Sequence, residues 1–293
     1  MINKRAPLGD PVYWSEWVAF GDESITLGWD TASRPFGDPS YAPQYLFELA
    51  QDHWHQMLRR YSAGLPVAEL AGYFPGLLDA WERSQHLGAE QWTAQQVTSR
   101  TMWAVNYDHY IVCFWLVGLA LTLDIPDEQW LRLLALIDNE GEDILLDRVI
   151  ATRSPQRRIG TVLLYPKPYA RLLAAVDAPP GQQGALLKGF VAHWYAEVGS
   201  GARSGTKKQA APFKHPYWYR YGDENFAGGA YFGRWCIEAA AAVKAFGLDD
   251  SLCRGHEHYP RDLLEPAAEV MVVAKDSSQR RGLWTRFFGA EDR

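Results

Sequence analysis

Cys253, His256, Glu257 and His258 carry the side chains of a metal site without its spacing. Two histidines one residue apart do not share a helix face, and no second cluster completes a four-ligand set. His53 and His55 repeat that defect, so both pairs read as solvated or capping histidines, and neither a metal nor a cofactor is expected. The run Gly199-Ser200-Gly201-Ala202-Arg203-Ser204-Gly205-Thr206-Lys207 invites comparison with a phosphate loop. That loop needs Gly-Lys-Ser/Thr between a strand and a helix, whereas here Thr206 precedes Lys207 after a helical pattern. No serine is flanked two residues away by glycine on both sides, as a nucleophile elbow requires. No carboxylate stands two residues before a lysine, so the carboxylate–lysine pair of many metal-dependent nucleases is missing too. No catalytic residue is therefore assigned.

Two acidic features remain. Asp108 and His109 stand where a long helical pattern turns apolar, with Arg100 two turns earlier. A buried aspartate needs a donor, so Asp108 reads as a polar contact in the core; an unrecognised enzyme site around the pair is the alternative. Asp138, Glu140, Glu142, Asp143 and Asp147 form the densest acidic cluster, either a solvated helix junction or a contact patch for a cationic partner. Residues 1–150 carry 9 Lys and Arg against 21 Asp and Glu, whereas residues 151–293 carry a net +6. An acidic half repels nucleic acid and suits a basic protein.

The elements that hold these residues are helical. Residues 10–32 alternate loosely about Gly21-Asp22-Glu23 and read as a short β-hairpin, with an arm over the helices as the alternative. Apolar residues at three-and-four spacing then predict a helix from about Ser40 to Tyr61, stopped by Gly64. A second helix is expected beyond Pro66, kinked at Pro75, and a third, central one over Ala94–Leu123. A fourth starts at Pro126 and ends at Asn139-Glu140-Gly141, and a short fifth carries Ile144, Leu145, Val149 and Ile150. Helical pattern resumes from Tyr169 to Val176 and from Gln183 to Val198. The expectation is an all-α, multi-helix array of two helical halves: an arm over 1–37, helical domains over 38–155 and 160–268, and a basic tail over 269–293. The tail offers Trp284, Phe287 and Phe288 as a docking patch. The longest apolar run, Tyr110 to Leu123, is too short to span a bilayer, and no signal peptide is visible. Three cysteines without metal spacing fit a reducing cytoplasm.

The most distinctive stretch is Trp218 to Leu264. Gly229 and Gly233, four apart, read as a face that a neighbouring helix approaches closely, extended by Trp235, Ala239, Ala242 and Phe246. Glu238 is a lone carboxylate beside that face, bound to a buried donor and specifying the fold. Gly247 should close the helix, and Asp249 or Asp250 should cap the turn at Ser251-Leu252.

The order Tyr231-Phe232-Gly233-Arg234-Trp235-Cys236-Ile237-Glu238, then Gly247-Leu248-Asp249-Asp250-Ser251, then Tyr259-Pro260-Arg261-Asp262-Leu263 resembles the C-terminal signature of PoNi proteins. The N-terminal half is similar to that family through Leu65-Pro66-Val67-Ala68-Glu69-Leu70. The resemblance implies an all-α, non-catalytic immunity protein without a cofactor, which binds and blocks a cognate DNase toxin, often one delivered by type VI secretion. Glu140, Glu142, Asp143, Asp223, Glu224, Asp249 and Asp250 are the expected toxin contacts. Gly229, Gly233, Trp235, Glu238, Gly247, Tyr259, Pro260 and Asp262 form the expected structural hub. Neither nucleic acid nor membrane is an expected partner, a homodimer is left open, and a scaffold without a toxin is the remaining alternative.

Overall fold

Thirteen consecutive residues, His109 to Leu121, are buried on every side of one helix, and the rest of the chain is arranged round them. The computed structural model describes residues 4–200 and 215–265. Among these it forms eleven α-helices and short 3-10 turns, with no strand. The helices are α1 (Pro11–Ala32), α2 (Ala42–Ala63), α3 (Phe74–Gln91), α4 (Ala94–Thr101), α5 (Tyr107–Thr122) and α6 (Asp127–Ile137). They continue with α7 (Ile144–Ala151), α8 (Pro166–Asp177), α9 (Pro180–Val198), α10 (Tyr221–Glu224) and α11 (Ile237–Phe246). The principal pairings are α1 on α2, α2 on α3, α8 on α9, and α5 on α11. The last joins the two halves. A Cβ on Gly118 would come within 2.8 Å of Ile237 Cγ2, so glycine lets α5 and α11 meet almost backbone to backbone.

The expected hairpin is instead α1, a helix of 22 residues. Asp10 caps it by accepting from the Tyr13 amide at 2.8 Å, and Pro11 follows in the first turn, where its missing N–H costs nothing. Gly21 is no turn residue. It lies on the buried face, where the Gln56 side chain occupies the space a Cβ would need, and Gly28 admits Leu49 in the same way. Gln56 Nε2 then donates to the Val18 carbonyl at 2.8 Å and to Asp22 at 2.9 Å, fixing α1 on α2.

Two further expectations change. The helix predicted over 94–123 is broken at Met102–Asn106, because Trp103 leaves the helical path to become fully buried. Its amide donates to Asn139 Oδ1 at 3.1 Å, and Asn106 restarts the helix by accepting from the His109 amide at 2.9 Å. Pro75 makes no kink either: Val67–Tyr73 is a 3-10 segment, and α3 begins at Phe74 with Pro75 in its first turn. Gly64 does end α2, in the left-handed conformation at φ 90°.

Gly229 and Gly233 are not on a helix face. Both lie in a non-helical stretch before α11, at φ 72° and 101°, which only glycine adopts without strain. The Trp17 ring fills the place of a Gly229 side chain, and Trp235 with Ser62 fills that of Gly233. Ser62 donates to the Phe232 carbonyl at 2.7 Å and accepts from Trp235 Nε1 at 2.7 Å. Tyr13 donates to the Tyr231 carbonyl at 2.9 Å, and Arg5 pairs with Asp262. Of the residues expected to form a hub, Gly229, Gly233, Trp235 and Asp262 thus meet α1, α2 and the segment before α1. Trp235→Ala is expected to cost about 3–5 kcal/mol, since it empties a buried indole site and removes the bond that Ser62 accepts. A wild-type urea midpoint for that variant would show that the clasp carries no stability.

Candidate functional site

The expected contact residues divide by burial. Asp143 is fully buried and is removed from that set. It is the N-cap of α7, where Oδ1 accepts from the amides of Leu145 and Leu146 at 2.9 and 2.8 Å and from Tyr110 Oη at 3.1 Å. Its Oδ2 accepts from Leu164 N at 2.8 Å. The helix end that it caps, not a partner, explains its position after Gly141. Asp250 is also withdrawn from the surface, at 8% exposure, where it accepts from Tyr259 Oη at 2.8 Å and pairs with Arg254. Glu140, Asp223, Glu224 and Asp249 are exposed and Glu142 half-exposed. Asp223 pairs with Arg234 on the same surface, and Asp249 closes a turn by accepting from the Ser251 amide at 2.9 Å. These carboxylates lie on separate loops and helix ends, and none of three cavities among the described residues is lined by all of them.

Beneath Glu140 and Glu142 lies an ion pair that the sequence pattern did not expose. Asp147, fully buried, meets Arg157 Nε at 2.7 Å, and Arg157 is itself only 9% exposed. The Asp147 carboxylate also accepts from the amides of Gly141, Asp143 and Gly160, at 3.1 to 3.2 Å. Arg157 donates onward to the Asp138 carbonyl at 2.9 Å and lies over the Trp103 ring. Arg157 falls between the two expected helical domains, 38–155 and 160–268; only its ten-residue separation from Asp147 could have suggested a pair. The network holds the acidic loop over the core. Glu238 belongs to the interior as well: Tyr169 Oη donates to its Oε1 at 3.0 Å, and burial pushes its carboxyl up to about 7.

Asp108 and His109 line a cavity of about 340 Å³ walled by Trp54, Trp81 and Trp92. Asp108 accepts from the Tyr217 amide at 2.9 Å, the backbone donor its burial requires, and desolvation raises its pKa. Burial lowers His109 to about 4, so the ring is neutral near pH 7 and meets Cys113 Sγ at 3.4 Å. Arg100, at the cavity's edge, stacks on Trp92 and donates to Gln44 at 2.6 Å instead of meeting Asp108. A carboxylate held by one amide beside a neutral imidazole makes a polar floor to an aromatic cavity. Cys113, Cys236 and Cys253 are buried free thiols. Residues 201–207 of the glycine-rich run and the tail with Trp284, Phe287 and Phe288 lie outside the described residues. Among the described residues no cluster of His, Cys, Asp and Glu could hold a metal, and no helix is long and apolar enough to cross a membrane.

The fold is all-helical among the described residues. The profile described as PoNe immunity protein (PoNi), N-terminal, matches residues 5–135, and its C-terminal counterpart matches residues 141–263. The chain belongs to the PoNi family, whose members are immunity proteins to PoNe nuclease toxins. A crystal structure of protein PA2201 from Pseudomonas aeruginosa shares the fold with a TM-score of 0.61 and 19% identity, over 89% of each chain. Comparison with curated proteins gives no match.

Proposed function

We propose that this protein binds the DNase toxin of its own type VI secretion system in the cytoplasm and neutralises it by covering the active site or DNA groove. The observation that carries this reading is charge: 21 acids against 9 bases in residues 1–150, several of them on exposed helix ends and loops. A nuclease must hold phosphates with basic side chains, and an acidic protein surface competes for that groove. Electrostatic steering of this kind speeds encounter and weakens as salt rises.

Co-expression with the nuclease toxin encoded beside this protein tests the reading: growth and intact DNA are expected with it, and DNA degradation without it. Degradation that continues in the presence of the folded protein refutes it. Glu140→Lys with Glu142→Lys is expected to weaken toxin binding about tenfold at low salt, the equivalent of about 1.4 kcal/mol. The melting temperature should fall only slightly, because both side chains stand outside the core and Glu140 gives up one exposed bond, from the Arg158 amide at 2.5 Å. Calorimetry showing unchanged affinity removes this loop from the interface.

A further inference from the structure

The outer face of α1 carries a feature that neither the fold nor the acidic loops explain. Val12, Phe20 and Leu27 are 70%, 52% and 57% exposed, although each is a large apolar side chain. With Glu16 and Glu23, also exposed, they fall within about 80° of the helix circumference, taken at 3.6 residues per turn. The opposite face carries Trp14, Gly21, Ile25 and Gly28, all buried against the core. The stripe from Val12 to Leu27 runs about 22 Å along the surface. From Ala6 to Ser33 the chain has five acids and neither lysine nor arginine. Asp22 and Asp30 are paired with Arg60 and Arg34, whereas Glu16 and Glu23 stand in no ion pair among the described residues.

We infer that this stripe is the surface on which the toxin docks, seated in the basic groove where the nuclease would otherwise track DNA phosphates. The inference rests on the immunity reading above and names the face that it uses. Glu16 and Glu23 lie about 10 Å apart along the helix, roughly three phosphate steps of one DNA strand. They offer the groove negative charge at a spacing it already recognises. Val12, Phe20 and Leu27 interleave with them as apolar anchors, which a contact needs at its centre. Other occupants fit less well. A second copy would bring the same glutamates against each other, and an anionic lipid surface or a nucleic acid would be repelled. Near this face, Tyr13 stacks on Phe226 at 4.3 Å, which places α10 with Asp223 and Glu224 beside the N-terminal part of α1.

The test is titration of the full chain against the nuclease domain of the toxin encoded beside it, at low and high salt. Glu16→Lys with Glu23→Lys is expected to weaken binding about thirtyfold at low salt and less at high salt. Phe20→Ser with Leu27→Ser should weaken it about a hundredfold at both. Glu16→Lys with Glu23→Lys should melt with wild type, and Phe20→Ser with Leu27→Ser slightly below it, because Phe20 also lies edge-on against Trp17 with ring centroids 5.3 Å apart; an unchanged far-UV spectrum shows that this variant folds. If the wild type binds and both variants bind equally well, the stripe is not the interface, though the immunity reading stands. If the wild type does not bind the toxin, that reading fails and this one with it. If light scattering shows a dimer that Phe20→Ser with Leu27→Ser dissociates while toxin affinity holds, the face serves self-association, and the inference is overturned.

Discussion

Arg157→Met is expected to lower the unfolding free energy by about 3–5 kcal/mol, because it leaves the Asp147 carboxylate charged and buried without its cation. Three amides, those of Gly141, Asp143 and Gly160, also donate to this carboxylate. Asp147→Ala should cost at least as much, since it strands both Arg157 and those amides. The double variant should fall well short of the sum of the two, because each single change already breaks the same network. Urea unfolding of the four proteins closes the cycle. An Arg157→Met protein within about 1 kcal/mol of wild type would mean that the amides alone satisfy Asp147. The acidic loop depends on this network too, so Arg157→Met should also loosen Glu140 and Glu142 and weaken toxin binding.

Glu238 sets the second large effect, through pH. Its folded carboxyl is raised to about 7 from an ordinary 4.5, with burial the leading cause. The sign is destabilising toward alkali: below pH 4.5 the group is protonated in both states and costs nothing. As pH rises toward 7 the unfolded chain releases the proton more readily than the folded one. Stability therefore declines through this window, by about 3 kcal/mol once the pH is above 7. Glu238→Gln keeps an oxygen to accept from Tyr169 and removes the ionisation. Its stability should exceed that of wild type at pH 8 by about that amount and match it near pH 4.5. Burial also depresses His53 and His109 to about 4, which pulls the slope the other way because neutral rings must charge in acid. The difference between wild type and variant cancels those histidines. Equal pH slopes for the two proteins would show that Glu238 ionises freely in the fold.

The helical class and most helix ends were legible because they follow from local chemistry: apolar spacing, Gly64 and Gly247 in left-handed caps, Pro at first turns. Errors arose where a residue serves a distant neighbour. Gly21 reads as a turn until Gln56, 35 residues away, is seen to occupy its side-chain space, and exposed Phe20 and Leu27 then mimic strand alternation. Trp103 breaks a helix to reach Asn139, and Asp143 leaves the acidic surface to cap α7 and bind Leu164. The acidic character of the first half was visible as a count, but which carboxylates face solvent is a tertiary fact. The family signature over Tyr231–Leu263 was legible as order and residue type, whereas its clasp on Ser62 was not, because no local rule links residues 170 apart.

Helix α1 is held from one side only, by Gly21 and Gly28 set against Gln56 and Leu49, and this has an evolutionary consequence. Substitutions at Val12, Glu16, Phe20, Glu23 and Leu27 leave that attachment intact, and changes at such surface positions usually stay within about 0.5 kcal/mol. Lineages can therefore vary these five positions freely while the interior stays constant. If the stripe is the docking face, a chain drifting there can exchange one toxin partner for another without passing through an unfolded intermediate sequence.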